Sequence, residues 1–277
     1  MLRTVNCCHT STNKENLKKK DCLLWRIESD YSGDSWLFGT MHIKDAKAFG
    51  LLDILFQKID ACNAFATELN LDEINNGGTG MFSTPPVPPL FHLLPSKQYQ
   101  KLKKILKKAL GIELDRLAPL HPMIISKFIS DAMMASEMPE FLDDRLWKHA
   151  RSGEKSLHGI ETFEEQIAVF HQIPLKEHLD HLKQLSKNYS ATRKKLMRLL
   201  DFYARGDLRQ LHKAALKGTH NKEEMVYQRN TIMINRIDAL IQEHETLFAA
   251  VGAGHLWGEK GVIRGLKHKG YRLKPYA

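Results

Sequence analysis

The chain has 277 residues, of which 43% are hydrophobic, and it carries a formal net charge of +9 at pH 7. This length and apolar content exclude a disordered or fibrous protein and allow one large domain, or one domain with an inserted second piece. The charge allows an acidic partner, but most of the excess is lysine along predicted helices without interleaved aromatic residues, so no nucleic-acid partner is expected.

The N-terminal segment, residues 1–20, is polar and ends in a lysine-rich stretch, which indicates a flexible tail. The residues before Cys7 are too few and too polar for the apolar region of an export signal. No run of about 18 apolar residues encodes a transmembrane helix. As given, the sequence predicts a soluble, cytoplasmic protein, and a periplasmic or secreted one if the natural N-terminus is longer. The four cysteines lack zinc-site spacing and disulfide density, which indicates reduced thiols.

The first α/β unit begins with a predicted hairpin, in which apolar runs at 23–27 and 36–38 flank a turn-rich loop. A Gly-x-x-His motif that ends at His42 follows the second strand directly. A helix is predicted over about 49–61 and a strand over 63–69, with Glu68 at the far end of that strand.

A mostly helical block is predicted at about 91–243, after a loop rich in glycine and proline at 75–89. Its clearest helix covers 96–110, with Ser96 as N-cap and Gly111 as the stop signal. Further helices are predicted at 123–135, 141–150 and, with breaks near 206 and 218–220, from 174 to 243. A short strand near 155–160 interrupts the block. It leads to Glu161 and to a helix whose Thr162 and Glu165 have capping-box spacing.

The last forty residues return to an α/β pattern. They consist of a strand at 247–251, a second Gly-x-x-His motif ending at His255, a helix over about 258–268 and a strand at 271–274. Both chain ends thus share the order strand, Gly-x-x-His, helix, strand, which suggests a pseudo-repeat. The sequence predicts a single α/β domain over 21–277, whose central sheet is built from both terminal parts with a large, mostly helical insertion.

A metal site is the chemistry that the strand ends suggest. Ligands of α/β sheets bind where strand-to-helix loops converge, and glycine allows the backbone to approach closely there. If the strand ends meet, His42 and His255 together with Glu68 or Glu161 form a sufficient donor set for a divalent transition metal with an open position for water. Such an ion would polarise a carbonyl, and a spare glutamate could act as general base.

A purely structural interpretation competes with this one. Any single histidine of the fourteen is more commonly solvated or hydrogen-bonded than a ligand. Glu161 could serve only as a favourable charge at a helix N-terminus. Glu68 is harder to explain in this way, because a carboxylate that ends an apolar strand requires a partner.

An ordered series of short motifs resembles the TraB/PrgY/GumN family, which is related to the Tiki proteases. The matching stretches are residues 36–42, 66–69, 142–143, 159–166, 203–207, 228–230, 251–258 and 270–271. They extend over almost the whole chain. The given sequence shows no counterpart of the membrane-spanning C-terminal part of the pheromone-shutdown branch, so resemblance to the compact GumN branch is expected.

The resemblance implies a fold similar to the erythromycin-esterase and haem-uptake ChaN groups and a metal-dependent hydrolase site. Carried over, the metal ligands become His42, His255 and Glu68, and the ion is of the manganese or cobalt type, with zinc a further candidate from the donor set. Glu68, Glu161 and Arg229 are the expected catalytic residues. Arg229 and Asn230 match a recurrent pair that would bind substrate or an oxyanion. The competing interpretation of Arg229 is a buried salt bridge with Glu161 or Asp143.

Three functions remain open at the level of sequence. The preferred one is a divalent-metal-dependent hydrolase, a peptidase acting on a peptide or other small substrate. The alternatives are a non-catalytic protein that sequesters a peptide or haem, and an esterase for small molecules. Specificity would lie in the helical block and in the proline-rich loop, whose sequences carry no readable code for a substrate. The sequence also leaves the oligomeric state open.

Overall fold

The structure is a computed structural model, and it describes residues 22–30, 33–73, 86–134, 136–217 and 221–276. The predicted tail at 1–20 and its two cysteines lie outside the described residues, as does most of the predicted loop at 75–89. Cys22 and Cys62 are buried free thiols, as expected.

A six-stranded sheet forms the centre of the described part of the chain, in the order β4-β3-β5-β2-β1-β6. Its strands are β1 Leu24–Glu28, β2 Ser35–Thr40, β3 Ala64–Thr67, β4 Ser156–Gly159, β5 Leu247–Gly252 and β6 Arg272–Pro275. Neighbours among β4, β3, β5 and β2 pair in parallel, whereas β1 pairs antiparallel with both β2 and β6. The predicted α/β fold, with a sheet drawn from both ends of the chain, is confirmed.

The centre of this sheet is apolar on both faces. Every residue of β2 is buried, and so is β5 from Leu247 to Val251. Strands that are covered on both faces have such continuous apolar runs, because helices pack above and below a parallel sheet. The sequence of β5 is therefore that of an interior strand, although it lies close to the C-terminus.

Helices account for most of the remaining described residues. They are α1 Leu52–Asp60, α2 Leu90–Leu93, α3 Ser96–Leu110, α4 Leu114–Leu117, α5 Pro122–Met133, α6 Leu142–Ser152, α7 Phe163–His171, α8 Leu175–Lys187, α9 Tyr189–Ala204, α10 Leu208–Lys217, α11 Arg229–His244 and α12 Val262–His268. A π-helical turn, Glu223–Gln228, leads into α11, and 3-10 turns cover Ala46–Phe49 and Ala253–His255.

The ends of two helices test the predicted capping signals. Helix α3 ends before Gly111, whose φ of 69° is the left-handed conformation that favours glycine. The prediction of Ser96 as its N-cap is wrong, because Pro95 occupies the cap in an extended conformation and Ser96 becomes the first helical residue. The capping box at the start of α7 is confirmed, since Thr162 and Glu165 exchange both expected hydrogen bonds.

Two apolar clusters stabilise the described residues. The larger one surrounds the sheet, where Phe65 stacks on Phe248 and meets the edge of Trp147. The smaller one joins α2, α3, α4, α5 and α8 around side chains such as Leu102 and Leu182. Each fully buried side chain of this size contributes about 1.5–3 kcal/mol. The helical insertion thus has apolar packing of its own beside the sheet.

The connections that follow two adjacent parallel strands, β2 and β5, cross the sheet in opposite directions. From β2 the chain continues to β3 on one side of the sheet, whereas from β5 it continues to β6 on the other side. Ligands of open α/β sheets bind outside the carboxyl ends of the strands at such a reversal. The sheet topology therefore identifies the edge on which a site is expected.

Candidate metal centre

The four acidic and histidine side chains singled out in the sequence follow the carboxyl ends of four adjacent parallel strands. In spatial order these are Glu161 after β4, Glu68 after β3, His255 after β5 and His42 after β2. Neighbouring strands lie about 4.8 Å apart. These strand ends therefore lie on one edge of the sheet, as supposed from the sequence. It is the same edge at which the connections after β2 and β5 run in opposite directions.

Glu68 and Glu161 share one guanidinium group. Arg229, the first residue of α11, donates from Nε to Glu161 Oε1 (2.8 Å) and from Nη2 to Glu161 Oε2 (2.6 Å) and Glu68 Oε2 (3.2 Å). Gln166 on α7 donates to the same two carboxylates, at 3.3 Å to Glu68 and 3.1 Å to Glu161. Two negative charges are thus held together by one positive charge and one amide.

Burial makes this ionic group costly to disturb. The side chains of Glu161, Arg229 and Glu68 are 1%, 13% and 27% exposed. Burial opposes the charge on Arg229, but the hydrogen bonds that it donates to Glu161 and the charge of Glu68 raise its pKa above the ordinary value. The salt bridge to Glu161 that the competing interpretation expected is present. Glu68 is the carboxylate of the pair with more access to solvent.

His255 is held through its Nδ1 atom. Nδ1 lies 2.6 Å from Asn230 Oδ1, and Asn230 Nδ2 donates to the carbonyl oxygen of Lys260 at 2.7 Å. Because this second bond fixes the amide orientation, Oδ1 is the acceptor and His255 Nδ1 carries the proton. Burial lowers the pKa of His255, although the charge of Glu68 opposes this shift. Burial therefore favours the neutral ring, in which the lone pair lies on Nε2.

Gly252 brings Glu68 and His255 to the same point. Its backbone N–H donates to Glu68 Oε1 at 2.5 Å. A Cβ atom on this residue would lie 2.8 Å from Glu68 Oε1 and 3.6 Å from His255 Cδ2. Its φ of −54° is open to any residue, so space rather than conformation requires glycine. The expectation of a close backbone approach at the second motif is met here.

Gly39, in the first motif, serves a different purpose. A Cβ there would lie 2.8 Å from Leu256 Cδ1 and 3.1 Å from Ala253. The missing side chain lets the end of β2 pack against the turn that carries His255. The two Gly-x-x-His motifs are therefore in contact through this glycine.

His42 repeats the arrangement of His255 in a more open position. Its Nδ1 lies 3.4 Å from Asp143 Oδ2 on α6, and its ring stacks on Phe141 at a centroid distance of 3.9 Å. The side chain is 47% exposed. Asp143 Oδ2 is buried and has no hydrogen-bond partner among the described residues. Both motif histidines thus have Nδ1 near a side-chain oxygen on a helix, with a hydrogen bond at His255 and an ion-pair distance at His42. A partner behind Nδ1 is common for metal-binding histidines because it orients the ring.

The donor types present fit a divalent transition metal. Two imidazoles beside a carboxylate, each with a partner behind it, are a usual ligand set for such ions. Across the parts of the chain that the structure describes, no three histidine, cysteine or acidic side chains come close enough to enclose a metal ion. The metal-ligand and catalytic roles of these residues therefore stay predictions, as does substrate binding by Asn230, whose side-chain oxygen and nitrogen each have a protein partner.

Sequence reasoning missed three contributors to this edge. Gln166 and Asp143 lie in stretches that carry the family resemblance, but no local pattern indicates that one bridges two glutamates and the other lies behind His42. The third is His212 on α10, whose Nδ1 lies 2.8 Å from the carbonyl oxygen of Gly254. Nothing in the sequence around His212 distinguishes it from the other histidines.

The fold and this edge define an α/β protein with paired histidines and glutamates at a topological reversal. The model of the TraB/PrgY/gumN family matches residues 23–275, and the chain belongs to this family. No solved structure matches the chain. No helix in the described ranges is both long and apolar enough to cross a membrane.

Curated relatives carry the name metalloprotease. The chain is 23% identical to metalloprotease TIKI1 of Danio rerio over 326 aligned positions, which cover 96% of this chain and 65% of the relative. It is 26% identical to a metalloprotease TIKI homolog of Amphimedon queenslandica, with 93% and 62% covered. For metalloprotease TIKI2 of Danio rerio the identity is 22%, with 93% and 61% covered. The chain thus spans less than two thirds of the length of these relatives.

Proposed function

We propose that this chain is a divalent-metal-dependent peptidase, with the ion held by His42, His255 and Glu68. The observation that carries the proposal is the matched pair of histidines at adjacent strand ends, each with Nδ1 against an acceptor. This arrangement leaves Nε2 of each ring available to coordinate a metal ion through its lone pair. The names of the relatives support proteolysis as the reaction.

The protein groups around this edge have separable tasks in the proposal. Asn230 and Asp143 orient the two imidazoles. Glu161 holds Arg229 against Glu68 and so acts as a positioning residue, whereas Arg229 Nη2 supplies positive charge toward an oxyanion that forms near Glu68. A divalent ion, when bound, supplies a Lewis acid that polarises the scissile carbonyl and lowers the pKa of water.

Glu68 has the access that a proton acceptor requires. It is the more exposed of the two carboxylates, and its Oε1 and Oε2 accept hydrogen bonds that hold the group in place. A water molecule attacking the carbonyl would transfer its proton to such a group. Manganese, cobalt and zinc all suit a donor set of two imidazoles and a carboxylate, so each is a candidate.

The test compares three variants that each replace one histidine with alanine. His42→Ala and His255→Ala are expected to lose the stoichiometric metal and all cleavage of a peptide library, with an unchanged circular dichroism spectrum. His268→Ala, an exposed histidine in α12, is the matched control and should retain both. Metal content is measured by elemental analysis after loading with manganese, cobalt or zinc. Wild-type metal content in both motif variants would contradict the proposal.

A Soret band in the purified protein would instead indicate the haem-binding alternative. Cleavage of small esters without cleavage of any peptide would indicate the esterase. Each of these outcomes would replace the peptidase assignment.

A further inference from the structure

A cavity of about 740 Å³ lies among the helices of the insertion, between the end of α7, α8, α9, α10 and the π-helical turn. Ligand-binding clefts typically have about 300–1,000 Å³. Nothing in the proposed metal chemistry uses this space. Its position and its charge nevertheless connect it with the candidate metal centre.

Three elements contribute both to the metal centre and to the wall of the cavity. Helix α7 supplies Gln166 to the two glutamates, and its last turn continues to Ile173 in the cavity wall. Helix α10 holds the Gly254 carbonyl through His212, and its Ala214 lines the cavity. The cavity and the proposed metal centre are therefore connected through shared elements.

The π-helical turn gives an estimate of the distance between the cavity and the proposed metal centre. Met225 lines the cavity, and Arg229 contacts Glu68 and Glu161 one turn later. Four residues of helix span about 6 Å. Along α7, the six residues from Gln166 to Gln172 span about 9 Å. An extended peptide advances by about 3.4 Å per residue, so two or three residues bridge the metal centre and the cavity.

The cavity wall has an excess of positive charge. Lys195 and Arg198 on α9 and Lys217 on α10 line it, and within the described ranges none of the three forms an ion pair with a carboxylate. Glu177 is the one carboxylate among the described lining residues. Because these cations have no carboxylate partner among the described residues, they attract a negatively charged ligand group.

The histidines of the wall add polar groups but little charge. Burial and the neighbouring His121 and His181 lower the pKa of His178 to about 4, and burial also lowers the pKa of His181. His178 Nε2 is buried and has no hydrogen-bond partner among the described residues.

Apolar side chains form much of the remaining surface. Half-buried residues that line the cavity are Ile173, Leu196, Leu199, Phe202 and Met225. Such surface is favourable for an apolar side chain, since its burial removes area from water on both partners. The cavity wall therefore contains both cationic and apolar side chains.

We propose that this cavity binds the segment of a peptide substrate that lies two or three residues from the cleaved bond, and that it selects an acidic side chain next to an apolar one. The inference rests on the proposed peptidase function for the position of the cleaved bond. The recognition itself depends only on the cavity.

The experiment measures peptide binding to the protein without added metal, so that no cleavage is required. Two fluorescent decapeptide pools of otherwise random sequence are compared by anisotropy, one with a fixed Glu-Leu pair and the other with a fixed Lys-Leu pair. The wild-type protein should bind the Glu-Leu pool roughly tenfold more tightly. The double variant Lys195→Glu/Arg198→Glu should invert this preference.

The matched control makes the same change of charge on the same helix. Arg193→Glu/Lys194→Glu alters two exposed cations of α9 that do not line the cavity, and the wild-type preference should persist. Equal binding of both pools by the wild-type protein, or equal loss of preference in both double variants, would overturn the proposal. Binding of sodium decanoate without binding of either pool would overturn it as well, since it would assign the cavity to a fatty acid.

The outcome for the cavity is separable from that for the metal centre. Selective peptide binding without cleavage by the metal-loaded protein would leave the cavity assignment in place and overturn the peptidase. Metal-dependent cleavage without the expected peptide preference would overturn the cavity assignment and leave the peptidase in place.

Discussion

Removing the cation between the buried Glu161 and the partly exposed Glu68 should destabilise the whole fold. Arg229 makes three hydrogen bonds of 2.6–3.2 Å to Glu161 and Glu68, and the Glu161 side chain is only 1% exposed. In Arg229→Met, the Glu161 carboxylate would stay buried without its cationic partner. Breaking a buried ion pair on one side costs about 3–5 kcal/mol.

The expected cost is large enough to measure in two ways. For a protein of this size, 1 kcal/mol corresponds to a change in Tm of about 2–4 °C, so Tm should fall by roughly 6–20 °C. Urea denaturation should show the same loss as a lower midpoint with an unchanged slope. Both measurements should be made without added metal, because bound ligand stabilises the folded state.

A second arginine on α11 provides the control. Arg236 forms a two-pronged ion pair with Glu165, at 2.6 and 2.8 Å, but the two side chains are 38% and 34% exposed. Arg236→Met should cost about 1 kcal/mol, because solvent screens an exposed pair. Because both variants make the same substitution on the same helix, the difference in their stability reports the burial of the ion pair and not the change in side-chain size.

A double substitution tests the cause. Arg229→Met/Glu161→Met removes both charges of the buried pair, and the stability should return to within about 2 kcal/mol of the wild-type protein. If Arg229→Met costs no more than Arg236→Met, or if the double variant is less stable than Arg229→Met, the destabilisation does not come from an unpaired buried charge and the reasoning is refuted.

Three further predictions concern the candidate site and the insertion. Gly252→Ala would place a Cβ 2.8 Å from Glu68 Oε1, so the carboxylate must move by about 0.5 Å. Calorimetry should show about tenfold weaker manganese binding, whereas Gly50→Ala, where the nearest atom is 3.9 Å away, should bind normally. Asn230→Ala and Asp143→Ala should each weaken manganese binding roughly 10- to 100-fold by freeing a motif histidine to rotate, and unchanged affinity would remove them from the site. Burial and neighbouring histidines lower the pKa of His178 from 6.5 to about 4. Because the unfolded chain then binds the proton more readily, Tm should fall as pH drops from about 6.5 to 4. His178→Asn should flatten that slope, and an unchanged slope would count against the pKa shift.

Local sequence patterns were sufficient for the elements themselves. The continuous apolar runs of β2 and β5 identify interior strands, and the apolar face and terminal glycine of α3 define that helix to within a residue of its observed bounds. The strand ends also point to the four residues of the candidate edge, because side chains at the ends of parallel strands converge. These inferences use only neighbours in the chain and the periodicity of each element.

Pairings between distant segments were not predictable in this way. No local signal states that β5 enters between β3 and β2, since any interior strand would have the same apolar sequence. The contacts of His255 with Asn230 and of His42 with Asp143 depend on how α11 and α6 pack against the sheet. The cavity is likewise a product of helix packing, because its wall combines residues from five separate segments.

The position of β5 has a consequence for the order of events during synthesis. This strand occupies the middle of the parallel set, between β3 and β2, yet its first residue, Leu247, bonds to Ser35 across 212 positions of the chain. At about 5–20 residues per second, a ribosome needs roughly 10–40 s to make the intervening residues. Until then the position between β2 and β3 in the sheet is empty, and His255, which follows β5, cannot yet lie beside His42. A growing chain therefore cannot hold a finished centre, and any proteolytic activity would begin only after nearly the whole domain has left the ribosome.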